Sequence, residues 1–390
     1  MNRIITQVLM VTVILSSVAV SNGCEIHGRY VPHKDISGPL FKREIGCSIY
    51  LIWNPPWEKE GLKKYLYPLD ELYKINASGS LERVYIPDVE TQPKDFHLTD
   101  YGYPIVVQEF INYIGIYQAD GEKRVLEFDR YIDVDVVSKD GNKALLQATK
   151  VEDDNLETEY RIIDLGSGET LWSGEVSLEK YWSWEGANLP FDKFLIMKEV
   201  SQGSYSRERR SWWEPYVFSI NDSEQPVKKI EFPGSGVKGT NQVVMLRDSG
   251  NLIGIVDNNE YAEFYKTLSP YSEFELIQKV KLPFPDILGV TRDSSRVLLS
   301  WKADDKSRHL GVFNLVSGEM KEISYESGED RYSSVYLSPG GDRIVLFTTI
   351  GRKIRETKYV FSVYDVSTGE LIDTVEWPVE GSISHVTVGE

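Results

Sequence analysis

Aromatic and basic side chains concentrate between residues 181 and 213, where their types suit recognition chemistry. Aromatic rings supply area for stacking, and arginine supplies a planar fork of hydrogen-bond donors. This composition is typical of interface hot spots and sugar platforms, although the tryptophans could equally pack in a core with the arginines solvated around them. The candidate binding residues are Trp182, Trp184, Tyr205, Arg207, Arg209, Arg210, Trp212 and Trp213.

A second basic group, Arg352, Lys353 and Arg355, completes the candidate binding set. Because the chain carries a net charge of −17, the two basic groups stand out and indicate an acidic ligand or partner, with plain solvation as the alternative. The same negative charge repels phosphate backbones and anionic lipid surfaces. The sequence therefore argues against a nucleic acid as the partner.

Known enzyme motifs are absent from the sequence. It contains no Gly-x-Ser-x-Gly, no His-Glu-x-x-His and no phosphate-binding P-loop, and it predicts neither a metal nor a cofactor. Acidic residues are too numerous for a catalytic carboxylate pair to be singled out. Catalysis is not favoured on these grounds, but the sequence does not exclude it.

The N-terminus predicts export. In residues 1–23 Arg3 is the only charge, and a mostly apolar run ends in the small residues Ser21, Asn22 and Gly23, which is typical of a cleaved signal peptide. No later stretch approaches the ~18 uninterrupted apolar residues of a membrane span. We therefore expect a secreted, periplasmic or cell-surface protein with an N-terminal segment at 24–43 and one domain at 44–390.

The two cysteines leave two alternatives open. Residues 21–24 resemble a bacterial lipobox, which implies a lipid anchor at Cys24. In an oxidising compartment Cys24 could instead form a disulfide with Cys47 and tie the N-terminal segment to the domain.

Seven turn segments recur along the chain, anchored at residues 73, 117, 163, 220, 265, 313 and 364. Segments 162–169, 312–319 and 363–370 each join two β-rich runs through an Asp/Asn-and-Gly turn, which is a hairpin pattern. A second turn lies half a repeat away, at 139–142, 248–251, 293–296 and 339–342. Each repeat of roughly 45 to 57 residues therefore holds four antiparallel strands. A helix is considered for one segment only, residues 58–65, which lie inside a predicted loop.

These repeats resemble the WD-repeat-like and TolB-type β-propeller repeats, most clearly at Leu-Ser-Pro-Gly-Gly-Asp-Arg-Ile (337–344) and Tyr-Asp-Val-Ser-Thr-Gly-Glu (364–370). We expect an all-β fold, a seven-bladed β-propeller of four-stranded antiparallel blades. The first repeat supplies three strands, at 45–53, 67–75 and 81–86, and a spare strand remains at 383–388. The C-terminal strand should close the ring by pairing with the N-terminal blade.

The longer loops should crowd one face of this propeller, at 54–64, 152–157, 201–211, 303–308 and 350–357. His97 and His385 lie at matching positions of two innermost strands and should line the central channel, as ordinary polar lining or around a shared metal or anion. The sequence favours an extracytoplasmic binding or scaffold protein that presents the loop face to a protein, peptide or glycan. The alternative is a carbohydrate-active hydrolase or lyase with its site at the channel mouth.

Overall fold

The computed structural model contains only β-strands in the part of the chain that it describes, and these strands pair antiparallel. The described residues are 36–54, 59–60, 64–65, 71–85, 95–98, 105–110, 112–118, 122–138, 141–152, 155–174, 183–188, 193–202, 210–219, 227–229, 240–245, 252–257, 260–269, 273–302, 307–324, 331–351 and 357–389. Within these ranges no helix has the length and hydropathy of a membrane span.

The strands form seven sheets of four or five strands within the described ranges. The first sheet has the order β1-β6-β5-β2-β31, with β1 Gly38–Pro39, β2 Ser48–Asn54, β5 Glu71–Ile75, β6 Ser80–Tyr85 and β31 Ser382–Gly389. The second sheet contains β7 Asp95–Leu98, β8 Ile105–Phe110, β9 Tyr113–Tyr117 and β10 Lys123–Glu127. The third sheet contains β11 Tyr131–Val137, β12 Lys143–Glu152, β13 Asn155–Asp164 and β14 Thr170–Gly174.

The remaining four sheets are also four-stranded meanders in chain order. The fourth sheet contains β15 Ser183–Asn188, β16 Lys193–Gln202, β17 Arg210–Ser219 and β18 Val227–Lys229. The fifth contains β19 Thr240–Met245, β20 Leu252–Asp257, β21 Tyr261–Ser269 and β22 Glu273–Lys281. The sixth contains β23 Asp286–Val290, β24 Arg296–Lys302, β25 Arg308–Asn314 and β26 Met320–Ile323. The seventh contains β27 Arg331–Leu337, β28 Arg343–Ile350, β29 Lys358–Asp365 and β30 Leu371–Glu376.

The expected all-β class and the four-stranded antiparallel repeat are confirmed. The first strands of the second to seventh sheets contact one another in chain order, β7 with β11, β11 with β15, β15 with β19, β19 with β23 and β23 with β27. The first strand of the seventh sheet, β27, contacts the C-terminal edge strand β31 of the first sheet. The first and second sheets meet through the buried side chains of Ile52, Leu72 and Ile105. Successive sheets therefore pack on one another, as in a propeller-type architecture.

The turn between the third and fourth strands has one geometry in the third, sixth and seventh sheets. Its last residue is a glycine whose N–H donates to the carbonyl four residues earlier, at 2.7 to 2.8 Å. These glycines are Gly168, Gly318 and Gly369, with φ of 80°, 75° and 78°. Only glycine adopts this region without strain, which is why the Gly pattern predicted the hairpins. Hydrogen bonds inside the turn lower the pKa of Asp164, chiefly from the Ser167 N–H, and of Asp365, chiefly from the Ser367 hydroxyl.

The C-terminal strand β31 pairs with β2 over its whole length, from Ser48 opposite Gly389 to Asn54 opposite Ser382. It buries Ile383, Val386 and Val388 in a cluster shared by the first and seventh sheets. The expected pairing between the last and first strands is thus present.

The end of the N-terminal segment packs against the first sheet, and the predicted domain start at residue 44 stays a prediction. Strand β1 pairs Gly38 with Leu81, so the first sheet has a fifth strand. Phe41 is 4% exposed and packs in the cluster around Trp53 and Tyr73, and its burial holds residues 38–43 against the sheet.

Three local expectations are wrong. Within the segment considered as a helix, the described residues are instead two short paired strands, β3 Lys59–Glu60 and β4 Lys64–Tyr65. The turn segment expected at 265–270 is wrong for residues 265–269, because these residues belong to β21, which runs to Ser269. In the loop expected at 152–157, residues 152 and 155–157 are strand residues, since β12 and β13 pair up to Glu152 opposite Asn155.

Candidate functional site

A cavity of about 1070 Å³ lies between the sixth and seventh sheets. The sixth sheet contributes the start of β25 and the end of β26, and the seventh contributes β28, β29, β30 and the turn before β30. Its wall nearest the core is aliphatic, since Leu310, Ile323 and Leu346 bury together where the two sheets pack. The cavity therefore opens where this packing ends.

Hydroxyl groups are the most frequent polar feature of the lining. Seven hydroxyl side chains are among the described lining residues: Ser307, Ser324, Thr348, Ser362, Tyr364, Thr368 and Thr374. Some are paired with one another, as Ser362 Oγ lies 2.9 Å from Thr374 Oγ1. Thr374 Oγ1 also donates to the Phe361 carbonyl at 3.2 Å. Each hydroxyl both donates and accepts, so this lining can satisfy a polar ligand of either type.

Arg308 is the cation among the described lining residues, and hydrogen bonds to the sixth sheet hold its side chain in place. Its Nη2 donates to Asp286 Oδ2 at 2.8 Å and to Ser300 Oγ at 3.0 Å, and its Nε reaches the same Ser300 Oγ at 3.2 Å. With 46% of its side chain exposed, the guanidinium remains open to solvent while its orientation is fixed.

Ser307, His309 and Glu322 form a hydrogen-bonded chain at one end of the cavity. Ser307 Oγ lies 2.9 Å from His309 Nε2, and His309 Nδ1 lies 2.5 Å from Glu322 Oε1. Ser307 directly precedes β25, two residues before His309, and the two side chains meet there. Glu322 joins them from β26, where it pairs with Gly311.

Trp301 fixes the orientation of the His309 ring. The two residues are opposite each other on β24 and β25, and their rings stack with centroids 5.6 Å apart and planes at 22°. The indole also lies over Gly311, where an added Cβ would stand 3.0 Å from two of its carbons and 2.8 Å from Met320 Sδ. Gly311 is thus needed for space rather than for its backbone conformation.

The side chains of Ser307, His309 and Glu322 line the cavity beside the C-terminal end of β26. Leu310 and Ile323 face the seventh sheet, and the alternation of a strand turns His309 and Glu322 to the other face. Pairing between β25 and β26 ends with Leu310 opposite Ile323, so β25 extends past β26 at Arg308 and His309. At this end the residues of both faces line the cavity.

The predicted recognition residues of the fourth repeat are only partly within the described residues. Trp184 lies on β15 opposite Ile196, and Arg210 begins β17 opposite Gln202. Trp212 and Trp213 are strand residues of β17, and residues 201–202 and 210–211 of the expected loop also belong to the paired strands β16 and β17. Trp182, Tyr205, Arg207 and Arg209 lie outside the described residues, as do Arg352, Lys353 and Arg355. Their binding role stays a prediction.

The channel and cysteine predictions are likewise untested. His385 is exposed on β31, and His97 lies on β7 opposite Val106. Cys47 is a buried free thiol directly before β2, and burial raises its pKa to about 12. Cys24 lies outside the described residues, so neither the lipid anchor nor the disulfide is tested. Among the described side chains no group of three His, Cys, Asp or Glu could hold a metal ion.

Sequence reasoning missed the chain of Ser307, His309 and Glu322. Ser307 falls in the loop predicted at 303–308, so strand alternation did not connect it with His309. Glu322 could not be found in this way, since its approach depends on the register between β25 and β26.

Comparisons with known proteins give a likeness of fold. No protein-family model and no curated protein sequence matches the chain. The periplasmic gluconolactonase of Pseudomonas aeruginosa is 13% identical, with a TM-score of 0.47 over 88% of this chain and 99% of that one. The Myceliophteria thermophila Cps50 (Swd1) β-propeller domain is 13% identical, with a TM-score of 0.47 over 74% of this chain and 88% of that one. TolB from Acinetobacter baumannii is 11% identical, with a TM-score of 0.41 over 87% and 82%. The chain is similar to these proteins in fold alone.

Proposed function

We propose that the seven sheets are the blades of one closed ring and that the protein is an exported binding module. The contacts between successive sheets support the ring, and the pairing of β2 with β31 supports its closure by the C-terminal strand. The N-terminal sequence supports export. In this arrangement the cavity between the sixth and seventh blades takes a short peptide segment, free or belonging to a partner protein.

The observation that carries the proposal is the lining of this cavity. At about 1070 Å³ it is as large as sites that enclose a whole small ligand. Aliphatic side chains such as Leu346 and Val360 alternate in it with hydroxyl groups. A peptide presents the same alternation of apolar side chains and polar backbone groups, so the two surfaces are complementary.

A peptide suits the cavity better than a glycan does. Sugar sites present the flat face of an exposed aromatic ring, against which a pyranose stacks. Apart from His309, the one aromatic side chain among the described lining residues is Tyr364, which is only 9% exposed. Charges of both signs, such as Arg308 and Glu370, line the cavity and could pair with peptide side chains.

The proposal is tested by selecting binders from a library of short linear peptides on the immobilised protein. The variant Thr374→Trp fills the cavity from an exposed position on β30 and should leave the fold intact. We expect the selected peptides to bind this variant at least tenfold more weakly, measured by titration calorimetry.

The matched control introduces the same indole at Val316, which is 82% exposed and is not part of the cavity lining. Val316→Trp should bind the peptides as the parent protein does. Equal affinity for Thr374→Trp and the parent, or binders found on a glycan array and none among the peptides, would contradict the proposal.

A further inference from the structure

We propose that Ser307 is a nucleophile for acyl transfer, activated by His309 and positioned by Glu322, and that the protein hydrolyses carboxylic esters at this end of the cavity. The inference uses the cavity of the proposed function but does not depend on a peptide as its ligand. It rests on the geometry of the three side chains.

The hydrogen bonds fix the tautomer of His309. A glutamate carboxylate only accepts hydrogen bonds, so His309 Nδ1 carries the proton in the 2.5 Å contact with Glu322 Oε1. In the neutral imidazole Nε2 is then the acceptor, and the Ser307 hydroxyl donates to it at 2.9 Å. This arrangement of nucleophile, base and orienting carboxylate is the one that acyl transfer requires.

The surroundings hold this geometry in place. Trp301 stacks on His309 and limits rotation of the ring, and Gly311 leaves space for the indole. Glu322 acts through His309 and is therefore a positioning residue. The His309 and Glu322 side chains are 33% and 55% exposed, so a substrate can reach them without a conformational change.

The proposed reaction needs water as its second substrate. Ser307 Oγ attacks the ester carbonyl carbon and forms the new C–O bond while its proton passes to His309 Nε2. The bond to the alcohol oxygen then breaks, and the alcohol leaves with that proton. Water attacks the acyl group and gives a proton to Nε2, which returns it to Ser307 Oγ as the acid departs.

Esters are the fitting substrate class because their alcohol is a better leaving group than the amine of an amide. An open site of this kind is in contact with water, which weakens electrostatic stabilisation of the tetrahedral intermediate. The reaction with the lower intrinsic barrier is therefore the one expected here. The seven hydroxyls of the lining suit an ester with polar substituents.

The test uses a fluorophosphonate probe, which phosphonylates an activated serine and releases fluoride. The full chain is treated with the probe, and the modified peptide is identified by tandem mass spectrometry, with hydrolysis of p-nitrophenyl acetate followed in parallel. We expect the label on Ser307, no label there in Ser307→Ala, and a labelling rate about 100-fold lower in His309→Ala. Glu322→Ala should lower the rate by more than Glu322→Gln, because glutamine can still accept from Nδ1.

Ser317→Ala is the control, because this serine is exposed on a turn of the same sheet and is not among the residues that line the cavity. Its labelling and ester hydrolysis should equal those of the parent. Absence of label on Ser307, or equal labelling in His309→Ala with an unchanged melting temperature, would overturn the inference. Ser307→Ala that still binds the selected peptides would separate loss of this activity from loss of the proposed peptide binding.

Discussion

The first and sixth sheets carry similar clusters of side chains in opposite environments. In the first sheet Tyr73 donates to Glu71 at 2.6 Å, and Arg83 Nη1 lies 3.5 Å from the same carboxylate oxygen. Glu71 is 0% exposed, whereas Glu322 in the sixth-sheet cluster is 55% exposed. A hydrogen-bonded glutamate is enclosed by β-sheet packing in the first sheet, whereas in the sixth sheet it lies at a cavity. Burial of the carboxylate, together with the residues that it pairs with, separates a structural network from a candidate site.

The fifth sheet repeats the enclosed arrangement. Tyr265 donates to Glu263 at 2.5 Å, and Lys279 Nζ lies 2.5 Å from the other carboxylate oxygen. In both sheets the glutamate and tyrosine are two residues apart on the third strand, and the cation comes from the fourth. Recurrence at equivalent positions identifies a structural device of the repeat. The chain of Ser307, His309 and Glu322 lacks such a counterpart among the described residues.

The largest expected effect comes from removing β31. Deleting residues 382–390 exposes β2 and removes three buried side chains, Ile383, Val386 and Val388, each contributing about 1.5 to 3 kcal/mol. We expect the free energy of unfolding to fall by about 5 to 9 kcal/mol in urea titrations, which is an upper estimate because the unfolded chain already buries part of this apolar surface. Ser384→Ala, at an exposed position of the same strand, is the control. A truncated chain with the parental unfolding midpoint would show that the strand does not close the ring.

The next-largest effect is a difference in stability between variants of the buried carboxylate Glu71 and the exposed carboxylate Glu322. Glu71→Ala leaves Arg83 and the Tyr73 hydroxyl without this buried acceptor, and we expect a loss of about 3 kcal/mol of stability. Glu322→Ala removes an exposed partner and should change stability by less than about 0.5 kcal/mol. Urea titrations of both variants measure the difference. Equal losses would remove the distinction between the enclosed and the open cluster.

Alkaline pH should lower the stability that the buried side chains of Cys47 and Tyr73 contribute. Burial raises the pKa of Cys47 from 9.0 to about 12, and burial followed by the hydrogen bond to Glu71 raises the pKa of Tyr73 above its usual range. A raised pKa in the folded state means that stability is complete below pH 9 and is lost as the pH rises from 9 towards 12. For one such proton the slope is about 1.4 kcal/mol per pH unit.

This pH dependence is measured as the free energy of unfolding in urea between pH 8 and 11. Cys47→Ala removes one titrating group, so its stability should decline less steeply above pH 9 than that of the parent. A parallel decline in both proteins would show that the thiol does not contribute.

The smallest effect on stability is expected in the fourth repeat. Arg209→Ala with Arg210→Ala removes two charges proposed to bind an acidic ligand, and it should change stability by less than about 0.5 kcal/mol. We expect a labelled oligo-glutamate peptide to bind the double variant several-fold more weakly by fluorescence anisotropy. Unchanged anisotropy curves would assign these arginines to plain solvation.

The repeat architecture could be predicted from the sequence because it depends on short-range features, the residue types within single turns and the spacing between turns. A glycine at Gly168, Gly318 or Gly369 is required by a positive φ within a single turn, and the turn spacing then gives the strand count. The short strands Lys59–Glu60 and Lys64–Tyr65 could not be predicted in this way, since two-residue polar strands show no alternating pattern.

The candidate site was less predictable because it is made by long-range geometry. The cavity exists where β26 ends while β25 continues, and neither boundary has a turn signal as clear as glycine. The approach of Glu322 to His309 depends on strand register, and the enclosure of Glu71 depends on the packing of the first sheet. Composition favoured the fourth repeat because its aromatic and basic residues are dense, but density alone does not show which side chains meet.

Backbone hydrogen exchange tests the central claim most directly, that the cavity between the sixth and seventh sheets is the functional site. Exchange is followed by mass spectrometry with and without a saturating peptide from the library selection. The account predicts slower exchange confined to residues 307–310, 322–324 and 371–374, which border the cavity. Protection centred on residues 201–213, or none at the cavity, would contradict it.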